Sequence, residues 1–76
     1  MVNLAGATIR AARRELTSCF RNAGLETAEL DARLLVSAVL GLDLTTLVIR
    51  DETPLSREDA ERLTACTRRR IAHEHA

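Results

Sequence analysis

Aromatic residues are almost missing from this chain: Phe20 is the only one in 76 residues. Lysine is absent, proline occurs once (Pro54), and glycine occurs three times, at Gly6, Gly24 and Gly41. Each shortage excludes something. Sequence-tolerant binding of single-stranded nucleic acid stacks bases on aromatic platforms, which this chain does not supply. Three isolated glycines form no phosphate-cradling loop. The longest apolar stretch, Leu34 to Leu42, is interrupted by Ser37 and Gly41. It is well short of the roughly 20 apolar residues that a membrane-spanning helix needs. The two cysteines, Cys19 and Cys66, have no metal-ligand spacing, and no basic segment followed by an apolar run opens the chain. Reduced thiols in a cytoplasmic protein are therefore the expectation, with a Cys19–Cys66 disulfide as the alternative.

What is present is a globular composition, 46% hydrophobic and 29% charged, with 11 basic residues, all arginine, balancing 11 acidic ones. A zero net charge argues against a dedicated nucleic-acid binder, whose affinity comes from neutralising phosphates. The length allows one domain. A chain this small buries roughly 60% of its unfolded surface, so its stability is expected to be on the order of 4–11 kcal/mol. With one aromatic residue, the core must be aliphatic.

Helix punctuation runs through the whole sequence. From Thr8 to Ala23 the apolar residues Ile9, Ala12, Leu16, Cys19, Phe20 and Ala23 recur at helical spacing, while Arg10, Arg13, Arg14 and Arg21 lie mostly off that face. Asn3 and Thr8 are both suitable caps. Gly24 supplies a left-handed stop, and Leu25 is placed to fold back on Phe20. A second helix should follow Thr27, with Glu29 and Asp31 in its first turn, Glu29 and Arg33 as an i,i+4 pair, and Gly41 as its stop. Leu30, Leu34, Leu35, Ala38 and Leu42, joined by Val39, are expected to form its buried face. This most apolar element should sit centrally. Asp43 caps a short third helix over Thr45, Thr46, Leu47, Val48 and Ile49. A strand there would satisfy local propensity but would have no partner strand. After Pro54, Ser56-Arg57-Glu58-Asp59 reads as a capping box, with Leu55 and Ala60 at the staple positions. Leu63, Thr67 and Ile71 continue the buried face, Cys66 lies near it, and Glu58–Arg62 is a further i,i+4 pair. The expected fold is all-α, a small bundle of about four helices with one short. Short loops should make consecutive helices neighbours.

Reactive constellations are not found. Ser18, Ser37 and Ser56 have no His–Asp context for nucleophilic work. Asp51-Glu52 reads as a solvated turn rather than an acid/base pair. His73 and His75 flank Glu74 without a third or fourth metal ligand. No catalytic, cofactor-binding or metal-binding residue is assigned. Arg68-Arg69-Arg70 has two open readings. One is a solvated helix end that complements the dipole; the other is a contact with an acidic protein partner or RNA.

Leu30-Asp31-Ala32-Arg33-Leu34-Leu35 followed by Val39-Leu40-Gly41-Leu42 resembles the second-helix signature of the release-factor glutamine methyltransferases (the HemK/PrmC family). Leu47, Leu55-Ser56-x-Glu58, Leu63 and the arginine-rich end at Arg68-Arg69-Arg70 continue the likeness from about Ile9 onwards. Glu74 falls where the family has a Glu-Pro pair, and His75 stands in place of the proline. The resemblance implies that residues 1–76 form a single helical domain, the N-terminal substrate-recognition domain of a larger enzyme. That parent would use S-adenosylmethionine to methylate the glutamine of the Gly-Gly-Gln motif in a peptide-chain release factor. The family's glycine loop and Asn-Pro-Pro-Tyr motif do not occur in these residues, so no catalytic or cofactor role carries over. The release factor is the implied partner, and Arg68, Arg69 and Arg70 are the candidate contact residues. A monomer is expected, with no membrane association. The competing readings are a stand-alone interaction module, dimerising through Val36 and Val48, and a helix-turn-helix nucleic-acid binder, for which the third helix is too short and apolar.

Overall fold

A computed structural model of the chain describes residues 4–74. The order of elements is α1 (Ile9–Asn22), α2 (Ala28–Leu40), α3 (Leu44–Ile49) and α4 (Arg57–Glu74), with no strand among the described residues. Backbone pairing outside the helices includes one isolated bridge, Thr8 to Pro54. The chain is an all-α bundle of four helices, one of them short.

Local chemistry sets the helix ends. The Thr8 hydroxyl accepts from the Ala11 amide at 3.1 Å, which caps α1. Asn3, the other cap weighed, lies outside the described residues. α1 closes with a Schellman arrangement: Leu25 N–H donates to Phe20 O and Gly24 N–H to Arg21 O, with Gly24 at φ +89°. Leu25 packs against the core there. Gly41, at φ +68°, ends α2 in the same left-handed conformation, and the Ser37 hydroxyl adds a hydrogen bond to the Leu42 carbonyl. Ser56 caps α4 by accepting from the Asp59 amide at 3.1 Å, and the staple residues Leu55 and Ala60 are both buried.

Asp43 caps α3 by accepting from the Thr46 amide at 2.7 Å. That hydrogen bond, the largest influence on the group, holds its carboxyl below the ordinary value of 3.8. A depressed folded-state value means a contribution that is present above about pH 4 and fades as pH falls through the lowered value. Asp43→Asn keeps a capping oxygen without the charge. The gap in melting temperature between wild type and Asp43→Asn should therefore narrow as pH is lowered from 7 to 2. A gap independent of pH would show that the charge contributes nothing.

α2 lies at the centre, packed against α1, α3 and α4. Its neighbours depart from simple chain order, because the principal partner of α4 is α2 rather than α3. The loop from Arg50 to Leu55 carries α4 back. This loop also serves the start of α1: Ile9 N–H donates to Thr53 O at 3.0 Å, Arg10 N–H to Asp51 O at 2.7 Å, and Leu55 N–H to Ala7 O at 2.7 Å. The first amides of a helix have no partner within it, and the loop carbonyls supply two here. Asp51 and Glu52 pair with Arg10 at 3.8 and 4.0 Å, so their turn is docked on α1 rather than free in solvent.

The core includes Leu4, Ile9, Ala12, Leu16, Phe20, Ala28, Ala32, Val36, Leu47, Leu55, Ala60 and Leu63. Thr67 is buried too, its hydroxyl donating to Leu63 O at 2.7 Å. The expected face of α2 needs correction. Ala28, Ala32 and Val36 are its buried residues, Leu35, Val39, Leu40 and Leu42 are partly buried, and Leu30 and Leu34 are 47% and 49% exposed. α2 is apolar nearly all round, so periodicity does not choose its rotation. Close approach does: Ala28 and Ala32 are small enough for α1 to pack tightly against α2, whereas leucines there would force the helices apart. Val36, assigned in one reading to a dimer face, is in the core. Val48 (59%) and Ile49 (75%) do stand exposed on α3.

Ion pairs also differ in part. Glu29–Arg33 forms at 3.7 Å as expected, but Arg62 meets Asp59 Oδ1 at 3.9 Å rather than Glu58. Thr27 precedes α2 without a side-chain cap bond, and its hydroxyl donates instead to Asp31 Oδ2 at 2.9 Å.

Candidate functional site

Arg68, Arg69 and Arg70 are exposed residues in the last part of α4. Successive helical residues diverge by about 100°, so the three do not share one face. Arg69 Nη2 donates to Cys66 Sγ at 3.3 Å, along its own helix. Arg70 Nη2 donates to Asp31 Oδ1 at 3.2 Å and ties α4 to α2. Asp31 thus receives Thr27 on one oxygen and Arg70 on the other. Arg70 therefore has a structural role, which the sequence run did not reveal because the partner lies 39 positions away. A cleft of about 280 Å³ opens beside this tie, lined by Phe20, Asp31, Leu34, Leu35, Ala38 and Arg70.

A second arginine surface was not anticipated. Arg13, Arg14 and Arg21 from α1 meet Arg33 and Glu29 from α2 around a cleft of about 290 Å³, with Thr17 and Ser18 on its floor. Residues 13, 17 and 21 are successive turns of one helical face, and the short α1–α2 connection brings Arg33 opposite. The Nε atoms of Arg13 and Arg33 are buried without a hydrogen-bond partner. Arg33 reaches Glu29 through Nη2 only. Among the described residues, no carboxylate lies in ion-pair range of Arg13, Arg14 or Arg21. The signal was present in the sequence as Arg13-Arg14 and Arg21 at helical spacing; what was missing was the facing position of Arg33.

The remaining reactive side chains are quiet. Cys19 and Cys66 are free thiols, each half-buried. Burial first, and the neighbouring Glu15 carboxylate second, push the Cys19 thiol up, away from the nucleophilic thiolate. Among the described residues, no group of three His, Cys, Asp or Glu is placed to hold a metal ion. The side chains of His73 and Glu74, and the whole of His75, lie outside the described residues. Gly6, Gly24 and Gly41 occupy three separate turns, and among the described residues no strand leads through a glycine loop into a helix. The described residues therefore do not fit an adenosylmethionine site of the Rossmann type. No helix is long and apolar enough to cross a membrane among the described residues.

Four helices with two arginine-bearing surfaces define a small all-α bundle among the described residues. Residues 11–74 match the family model described as the PrmC N-terminal domain, and the chain belongs to that family. It is also 48% identical over 69 residues to the release factor glutamine methyltransferase of Bradyrhizobium diazoefficiens. That alignment covers 91% of this chain but 23% of the relative, so the chain spans about a quarter of that enzyme's length. No solved structure matches.

Proposed function

We propose that this chain is the substrate-recognition domain of a cytoplasmic, S-adenosylmethionine-dependent protein-(glutamine-N5) methyltransferase. The parent would modify the Gly-Gly-Gln motif of peptide-chain release factors, and this domain would hold the release factor while a separate catalytic domain binds adenosylmethionine and transfers the methyl group. The observation that carries the reading is the match of residues 11–74 to the family's N-terminal domain. The related enzyme of Bradyrhizobium diazoefficiens is a release factor glutamine methyltransferase, which points to the substrate. Support also comes from a surface rich in exposed arginine around a core without reactive groups. Binding energy gathered remotely from the reacting atoms is what positions a large protein substrate.

The test joins binding with kinetics. The 76-residue chain should bind a release factor in calorimetry and should not methylate it. In the whole enzyme, Arg68→Glu with Arg69→Glu should raise KM for the release factor by about tenfold with little change in kcat, the mark of lost uniform binding. Arg70 is left intact because it holds Asp31. Absence of binding by the chain, together with an unchanged KM, would end the proposal.

A further inference from the structure

We infer that the cleft between α1 and α2, bounded by Arg13, Arg14, Arg21 and Arg33, is a docking site for a carboxylate-bearing segment of a protein partner. The inference rests on the proposed function only for the identity of that partner. Four arginines from two helices line the cleft, and among the described residues no carboxylate lies in ion-pair range of Arg13, Arg14 or Arg21. That concentration of unneutralised positive charge is stabilised when an anion docks. A guanidinium presents Nε–H and Nη–H side by side, which matches the two oxygens of a carboxylate or phosphate.

The choice of an acidic peptide over a nucleic acid comes from two features. The cleft is a pocket of about 290 Å³, not a track along the surface. The chain has one aromatic residue, Phe20, and it is fully buried, so no base can stack on it. Arg14 and Arg21 are exposed and supply the outer, steering charges.

The experiment titrates the 76-residue chain at low salt with three probes: fluorescent hexaglutamate peptide, inorganic pyrophosphate and a short oligouridylate. Hexaglutamate should bind. Arg13→Gln combined with Arg33→Gln should weaken that binding at least about tenfold, with rising salt doing the same to wild type. Arg57→Gln, which removes an exposed ion pair elsewhere on α4, should leave binding unchanged. Should the double variant fail to fold, Arg14→Gln with Arg21→Gln, at exposed positions, must still weaken binding several-fold. Equal affinity in wild type and the cleft variants, or no binding of hexaglutamate, would overturn the inference. So would tighter binding of oligouridylate, which would mark a nucleic-acid surface, or of pyrophosphate, which would mark a small-anion site. None of these titrations contains a release factor, so their failure leaves the proposed function standing.

Discussion

Phe20→Ala should cost about 3–5 kcal/mol in urea denaturation, the largest loss expected from truncating a core side chain here. Phe20 is the largest fully buried side chain in the structure. It packs in a core that is otherwise aliphatic, and its carbonyl accepts the Leu25 amide that closes α1. Removing the ring leaves a cavity at the turn where α1 reverses into α2. The core includes several alanines, whose methyl groups cannot extend into a gap. Against a total stability on the order of 4–11 kcal/mol for this length, the variant should lose a large share of its stability, and nearly all of it at the lower end of that range. Circular dichroism in a urea series would show it. A loss under about 1 kcal/mol would mean that the ring is not the centre of the core.

The second large effect contrasts two positions on one helix. Val36→Asp should unfold the domain, and Leu34→Asp should leave it folded with a loss under about 1 kcal/mol. Val36 is fully buried, whereas Leu34 is 49% exposed. Two residues along a helix turn the side chain by about 200°. At 36 the carboxylate would enter an aliphatic core with no cation to meet it, and burial of an unpaired charge costs several kcal/mol. At 34 it would face solvent. Acid should partly rescue Val36→Asp, because burial raises that carboxyl's value and a neutral side chain is tolerated better at low pH. Comparable losses at both positions would refute the rotation of α2 described above.

Leu30 and Leu34 of α2 are exposed, and Leu34 lines the cleft beside the Asp31–Arg70 tie. Apolar side chains presented near arginines are the mixture that protein-binding surfaces use, with Arg enriched among the residues that dominate binding.

Helix number, limits and the caps other than Thr27 were legible from the residues alone, because each depends on groups three to five positions apart. Thr8, Asp43 and Ser56 cap where their hydroxyl or carboxylate meets the third amide along, and Gly24 and Gly41 stop helices through their own left-handed backbone. The face of α1 was legible too, since its arginines leave one apolar stripe. The rotation of α2 was not. Its Leu, Val and Ala residues surround the helix, and the close approach of α1 decided between large and small residues. Pairing of α4 with α2, the Asp31–Arg70 tie and the meeting of Arg33 with Arg13 were likewise settled only by packing. Local order follows from short-range hydrogen bonding written into neighbouring residues. The arginine cleft depends on which surfaces of two helices turn toward each other, and that choice belongs to the assembled core.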